Sequence, residues 1–224
     1  MEAPIIKRQP DTSIPMPHAN LKITLASQSP RRKLLLEEAG YQFDVLPSEV
    51  DEPPGICTNC GPAEFVSRLA TQKAAAVAAR LKHQASENSG EQRTHVVIGC
   101  DTVGEVGGRI LGKPIDRDNA REMLTLLSNT EHRVYSGLCV WPLGEGTCEA
   151  ETRVDITTLR MEPLEGKELE EYLDTGLWED KAAALGFQDR PGWIHLVRGS
   201  GTNVVGLPME LLDEMLGSLS GESV

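Results

Sequence analysis

One stretch decides how the fold of this chain begins: Lys22-Ile-Thr-Leu-Ala-Ser-Gln-Ser-Pro-Arg-Arg-Lys33. Its first five residues are mostly apolar and partly β-branched, which predicts a short strand. Ser29 is a favourable N-cap and Pro30 a favourable first helical residue, because the N–H that proline lacks would be unpaired there anyway. The stretch therefore predicts a strand that leads directly into a helix, which Gly40 ends.

The same stretch places cationic side chains at the first turn of the predicted helix. A helix N-terminus presents unpaired N–H groups and a partial positive charge to an anion. Arg31 and Arg32 can add forked, charge-assisted hydrogen bonds to that anion. The arrangement suits a polyphosphate, and its alternative is a solvated basic turn.

Composition narrows the classes of function. The chain has 224 residues, 39% hydrophobic and 25% charged, as is usual for a globular protein, and no apolar run is long enough to predict a membrane span. A formal net charge of −12 argues against a nucleic-acid-binding module. The five cysteines are expected to be reduced, and Cys57-Thr-Asn-Cys60 lacks the second pair that a zinc site would need.

The order of the predicted elements indicates one α/β domain at residues 21–216, between a flexible extension at 1–20 and a flexible tail at 217–224. Strand–helix units alternate with hairpins, which argues for a mixed sheet, with two lobes and a cleft between them. The predicted strands include 42–46, 95–100, 193–197 and two neighbouring antiparallel strands at 133–141 and 152–160, and Gly107-Gly108 predicts a hairpin between short strands. The predicted helices are 62–81, 116–127, 165–172 and 208–216.

Two charged residues in these elements are candidates for a functional role. Lys73 lies in the middle of the apolar face of the helix at 62–81, where snorkelling to solvent is hard to achieve. Asp101 follows the apolar strand 95–100, so we expect it at a strand end, where ligands of α/β proteins gather. Its alternative is an aspartate that forms a turn.

Several segments of the chain form an ordered set of motifs: Leu25-Ala-Ser-Gln-Ser-Pro-Arg-Arg32, Gly99-Cys-Asp-Thr-Val103, Leu111-Gly-Lys-Pro114, Asp180-Lys-Ala182, Gln188 and Asn203-Val-Val-Gly-Leu-Pro208. In this order they resemble the motifs of the Maf family of nucleoside triphosphate pyrophosphatases, and the resemblance covers about residues 22 to 216. It implies a Maf/inosine-triphosphatase-like α/β fold, a mixed sheet with flanking helices and two lobes around a substrate cleft. It also implies a cytoplasmic enzyme, a homodimer, that hydrolyses a nucleoside triphosphate to the monophosphate and pyrophosphate.

The resemblance implies roles for individual residues. Asp101 is the general base for water that attacks the α-phosphorus. Glu52 and Asp101 are the ligands of Mg²⁺ or Mn²⁺, hard cations that prefer oxygen, and Lys181 has a supporting role. The implied phosphate-binding residues are Ser27, Arg31, Arg32, Lys73 and Lys113.

Three residues match the family members that prefer pyrimidines: Arg31, Thr102 and Gln188. The resemblance therefore implies dTTP or UTP as the substrate. The amide of Gln188 carries a donor and an acceptor, which can match the edge of uracil or thymine. The alternatives are 7-methylguanosine triphosphate or another modified nucleotide as substrate, and a non-catalytic regulator of septum formation.

The chain departs from the family pattern near the implied base pocket. Ala183 replaces a glycine, Leu185 an aromatic residue and Asp189 a glycine, while Gly104 stands where valine is usual. Each change is expected to affect the pocket or its loop more than the reaction.

Overall fold

The computed structural model describes residues 18–52, 54–57, 61–85, 94–144, 149–187 and 189–220. Most of the extension expected at 1–20 and the end of the expected tail lie outside these ranges, as do Cys60 and Gln188. The elements are β1 (Leu21–Leu25), α1 (Pro30–Glu38), β2 (Phe43–Val45), β3 (Ile56–Cys57), α2 (Pro62–Ala85), β4 (Thr94–Val106), β5 (Arg109–Leu111), α3 (Arg117–Leu127), β6 (Glu131–Leu143), β7 (Glu151–Met161), α4 (Gly166–Asp174), a short 3-10 helix (Ala182–Ala184), β8 (Ile194–Arg198), α5 (Gly201–Val205) and α6 (Met209–Ser220).

A mixed sheet holds the chain together. Over the described residues it has eight strands, in the order β2-β1-β4-β6-β7-β8, with β5 paired to β4 and β3 to β5. β1 is parallel to β2 and β4, whereas β4, β6, β7 and β8 pair antiparallel. The predicted mixed α/β fold is therefore confirmed, and so is the antiparallel pair predicted at 133–141 and 152–160.

The long strand β4 has a notch along one edge. β6 pairs with the other edge from His95 to Glu105. On the notched edge, β1 pairs only as far as Ile98, and β5 begins to pair only at Gly104. Among the described residues, no strand pairs with β4 between these two points on that side. Because Asp101 lies within this gap, groups from both faces of the sheet can approach a ligand there.

Helix α2 covers one face of the sheet at very short range, because two strand residues are glycines. A Cβ on Gly99 would lie 2.3 Å from the carbonyl oxygen of Ala70, and one on Gly137 would lie 2.3 Å from that of Val66. Neither position tolerates a side chain. The close approach brings Lys73, one turn after Ala70, directly over β4.

The opposite face carries two separate apolar clusters. The first joins α1 and α6 to the sheet through residues such as Leu36 and Met215. The second joins α3, α4 and the 3-10 helix, with Met123 and Tyr172 in its interior.

Several element boundaries differ from the predictions. Asp101 is not at the end of its strand, because β4 continues to Val106 and turns at Gly107-Gly108, with φ of 56° and 81°, into β5. It lies instead beyond the carboxyl end of the neighbouring parallel strand β1. Ligands of α/β proteins gather at such ends, so Asp101 remains a candidate site residue. Helix α2 extends past Leu81 and α6 past Leu216, and α5 was not predicted.

Among the described residues, no helix combines the length and the apolar character needed to cross a membrane.

Candidate active site

A buried lysine joins two carboxylates in the notch of β4. Lys73 Nζ donates a hydrogen bond to Asp101 Oδ1 over 2.6 Å and a second, shorter one to Glu52 Oε1. Lys73 and Asp101 are 3% and 4% exposed, so each charge depends on the other for compensation. The prediction that Lys73 is more than a snorkelling lysine agrees with this geometry.

Glu52 extends the cluster towards solvent. Its second carboxylate oxygen is 2.9 Å from Lys113 Nζ, which is half-exposed. Burial alone would raise the pKa of Glu52, but the charge and hydrogen bond of Lys73, together with those of Lys113, lower the pKa to about 2. Asp101, Lys73, Glu52 and Lys113 therefore form a row in which acidic and basic side chains alternate.

Backbone pairing between two loops fixes the outer half of this row. The N–H of Gly55 donates to the carbonyl of Lys113, and the N–H of Gly112 donates to the carbonyl of Gly55, each over 2.8 Å. Gly55 has a φ of +83°, which side-chain-bearing residues rarely adopt. The loop of Glu52 and the loop of Lys113 are thus held together, which places their side chains in contact.

Arg32 lies on the opposite face of β4 and is buried among protein acceptors. Its guanidinium donates to the carbonyl of Gly206 over 2.7 Å, to Ser27 Oγ over 3.1 Å and to Thr102 Oγ1 over 3.2 Å. The predicted N-cap is confirmed, since Ser29 Oγ accepts from the N–H of Arg32. Arg32 therefore connects the loop after β1, strand β4 and the segment Asn203–Pro208, and it holds Ser27 in place.

Thr102 belongs to this same junction. Its hydroxyl is 2.8 Å from that of Ser136 and 3.3 Å from the carbonyl oxygen of Gly206. The carbonyl oxygen of Gly206 thus accepts hydrogen bonds from both Arg32 and Thr102. Neither Ser136 nor Gly206 was identified individually as a site residue from the sequence. Residue type does not show which backbone carbonyl will accept a hydrogen bond.

Arg31, in contrast to Arg32, has no hydrogen bond or ion pair with any residue that the structure describes. Burial and the charge of Arg32 lower the pKa of its guanidinium, while Asp189, Tyr172 and Asp180 act in the opposite direction. These neighbours show that Arg31, at the N-terminus of α1, faces the loop at 180–189. Its guanidinium is a cation whose donors no described residue binds.

Asp189 organises that loop. One of its oxygens, Oδ2, accepts from Lys181 Nζ over 2.5 Å and from the Tyr172 hydroxyl and the Gly186 N–H over 2.9 Å each. Lys181 is therefore paired within the loop. The partner is a residue in which this chain departs from the family pattern, so the sequence did not reveal the pairing. Gln188, the predicted base reader, lies outside the described residues.

A cavity opens on the face of β4 that carries Thr102 and Gly104, next to the second apolar cluster. Strand residues form its floor, among them Thr102, Gly104, His132 and Val134. Ala182, Ala183, Leu185 and Phe187 of the loop form one wall, and Val204 of α5 contributes to another. The site as a whole thus combines a charged notch with an adjoining, mostly apolar cavity.

The metal-binding capacity of the site rests on two carboxylates. Among the residues that the structure describes, no cluster of three or more His, Cys, Asp or Glu side chains could hold a metal ion. Glu52 and Asp101 nevertheless converge on one ammonium group. Two carboxylates suit Mg²⁺, which keeps several water ligands and takes others from a phosphate substrate.

Comparisons with known proteins show the family of the chain. The family model described as Maf-like protein matches residues 22–219. A dTTP/UTP pyrophosphatase of Rhodopirellula baltica is 41% identical over 210 residues, covering 92% of this chain and 85% of the relative. Relatives with the same description from Pelotomaculum thermopropionicum and Clostridioides difficile are 40% and 37% identical, and cover 87% and 88% of this chain and 95% and 94% of their own lengths.

Proposed function

This chain belongs to the Maf family, and we propose that it hydrolyses dTTP and UTP to the monophosphate and pyrophosphate. The observation that carries the proposal is the row of Asp101, Lys73, Glu52 and Lys113 in the notch of β4, at a strand whose other face lines a mostly apolar cavity. The relatives described as dTTP/UTP pyrophosphatases support the choice of nucleotide.

Asp101 is the general base of the proposed reaction. Lys73 occupies its Oδ1 and so leaves Oδ2 to accept a proton from water. The attacking water forms a bond to the α-phosphorus as the bond to the bridging oxygen of the β-phosphate breaks, and pyrophosphate leaves. Lys73 also orients Asp101, because its ammonium group is a hydrogen-bonded counter-charge for a buried carboxylate.

Cationic groups stabilise the charge that develops on the phosphate oxygens. Arg31 and Lys113 are accessible enough to bind phosphate directly. Ser27 lies at the N-terminus of α1, where backbone N–H groups also face an anion. Arg32 has three of its donors on protein acceptors, so its contribution is mainly to hold Ser27 and Thr102.

A divalent cation, Mg²⁺ or Mn²⁺, fits the pair of Glu52 and Asp101 together with the substrate phosphates. When bound, it would neutralise phosphate charge. Chelation with EDTA is expected to abolish turnover, and added Mg²⁺ or Mn²⁺ to restore it. Turnover that survives chelation would refute a metal requirement.

Base preference is proposed to depend on Arg31, Thr102 and Gln188. Thr102 lines the cavity, and Arg31 faces the loop that closes it. Gln188→Glu is expected to change the ratio of kcat/KM between nucleotides more than the rate on the preferred one. An unchanged ratio would show that Gln188 does not read the base.

The direct test is a panel of nucleoside triphosphates with Mg²⁺ or Mn²⁺, in which pyrophosphate and orthophosphate are measured separately. Pyrophosphate from dTTP and UTP, with little from purine nucleotides, is the expected result. Pyrophosphate mainly from 7-methylguanosine triphosphate would keep the reaction and replace the substrate. No product from any nucleotide would refute the proposal and favour a binding role.

We also propose that the enzyme is a homodimer and that it is cytoplasmic.

A further inference from the structure

One histidine that lines the cavity has a ring nitrogen without a hydrogen-bond partner among the described residues. His132 is 4% exposed, and its Nδ1 makes no hydrogen bond with any residue that the structure describes. A buried polar atom without a partner costs about 1–3 kcal/mol, so such atoms are rare and call for an explanation. His132 lines the cavity together with Thr102 and with Ala183, Leu185 and Phe187 of the loop.

The imidazole of His132 is neutral at physiological pH. Burial lowers its pKa to about 4, although a hydrogen bond with the backbone of Thr130 and the charge of Glu105 act in the opposite direction. A neutral imidazole has one N–H donor and one nitrogen that accepts a hydrogen bond. His132 can therefore present an uncharged acceptor to a ligand in an otherwise apolar part of the cavity.

Resting on the function proposed above, we propose that His132 is a specificity-determining residue whose Nδ1 accepts the N3–H of uracil or thymine. Both bases carry this donor, whereas cytosine has an unprotonated N3. With the imidazole proton on Nε2, cytosine would leave His132 Nδ1 unpaired and set two acceptors against each other. A site built for such a hydrogen bond rejects a base that cannot form it more strongly than an apolar pocket could.

Asparagine and glutamine at position 132 provide two variants that distinguish the two ring nitrogens of the histidine. The amide of asparagine at this position places a polar atom close to the site of Nδ1, whereas the longer glutamine places its amide near the site of Nε2. His132→Asn is therefore expected to retain the hydrogen bond to the base, and His132→Gln to lose it. His132→Leu removes it without adding a polar group.

The test is kcat/KM for UTP, dTTP and CTP, measured for the wild-type protein and the three His132 variants, with thermal unfolding to confirm folding. His132→Leu is expected to lose about tenfold in kcat/KM for UTP and dTTP, the value of one ordinary hydrogen bond, with less than about a twofold change for CTP. His132→Asn should keep most of the wild-type preference. The control is His195→Gln, a variant of a half-exposed histidine on β8, which should leave all three values unchanged.

The outcomes separate this inference from the proposed function. If the wild-type protein releases pyrophosphate and His132→Leu loses the same factor on all three nucleotides, or loses nothing, the base-reading role is wrong. If His132→Leu fails to fold, the comparison of His132→Asn with His132→Gln decides, and equal UTP/CTP ratios would refute the role. If the wild-type protein releases no pyrophosphate, the proposed function fails and this inference fails with it.

Discussion

Gly104 and Ala183 both line the cavity and lie close together. Their contact allows a quantitative prediction of stability. A Cβ on Gly104 would lie 2.8 Å from the Cβ of Ala183 and 3.6 Å from that of Leu111. Carbon atoms in favourable contact are about 3.5–4.0 Å apart, so only the first contact is a clash. Ala183 cannot easily retreat, because its N–H donates to the carbonyl of Gly112 over 2.9 Å. Gly104→Ala is therefore expected to destabilise the fold by about 2 kcal/mol, as is typical of overpacking.

Removing the opposing methyl group should reverse this effect. Ala183 has a φ of 57°, a left-handed conformation that costs an alanine about 1 kcal/mol and a glycine very little. Ala183→Gly relieves that strain but loses the burial of one methyl group, worth about 0.8 kcal/mol, so its own effect is expected to be small. In this background Gly104→Ala should be neutral or stabilise by up to about 1 kcal/mol, since alanine loses less backbone entropy than glycine.

The assay is a double-mutant cycle by urea unfolding, with the m-value as a check that the transition remains comparable. A coupling energy of about 2 kcal/mol is expected between the two substitutions. Gly166→Ala at the start of α4 is the matched control, because a Cβ there would meet nothing within 4 Å, and its coupling to Ala183→Gly should be near zero. Coupling below about 0.5 kcal/mol between Gly104 and Ala183 would refute the contact.

Three further predictions concern the charged groups. Asp101→Asn should lower kcat by at least about 100-fold, the usual scale of general-base catalysis, with little change in Tm; near-normal turnover would exclude Asp101 as the base. Lys73→Met should destabilise the fold by about 3–5 kcal/mol, because it leaves the carboxylate of Asp101 buried and uncompensated; a change below about 1 kcal/mol in urea unfolding would contradict this, and Arg68→Met provides a control. Since the pKa of His132 is about 4 when folded and 6.5 when unfolded, protonation favours the unfolded chain: stability should be complete above about pH 6.5 and decrease by up to about 3 kcal/mol as the pH falls towards 4. His132→Asn should lack this part of the pH dependence, and an identical pH profile for that variant would contradict the shift.

The sequence predicted the elements whose signals are local. Ser29 and Pro30 specify the start of α1 through capping, which depends only on neighbouring residues. Gly107-Gly108 specifies a tight hairpin because both positions have positive φ. Lys73 was identified as a candidate because a charged residue is unusual in the middle of the apolar face of a helix. In each case the physical cause lies within a few residues of the feature.

Features that depend on distant contacts were not predictable in this way. The continuation of β4 beyond Asp101 depends on pairing with β6 and β5, so the apolar run at 95–100 showed only part of the strand. The sequence showed Gly104 and Ala183 only as two separate departures from the family pattern. It did not show that the two residues are in contact. His132 was not singled out, since neither its burial nor its unpaired Nδ1 can be read from residue type.

The central claim is that water attacks the α-phosphorus in the notch of β4, and isotopic labelling of the products tests it most directly. Wild-type protein is incubated with UTP and a divalent cation in water enriched in oxygen-18, and both products are analysed by mass spectrometry. The account predicts the label in the nucleoside monophosphate and none in pyrophosphate. Label in pyrophosphate would show attack on the β-phosphorus, and release of labelled orthophosphate would show attack on the γ-phosphorus; either result would contradict the proposed reaction.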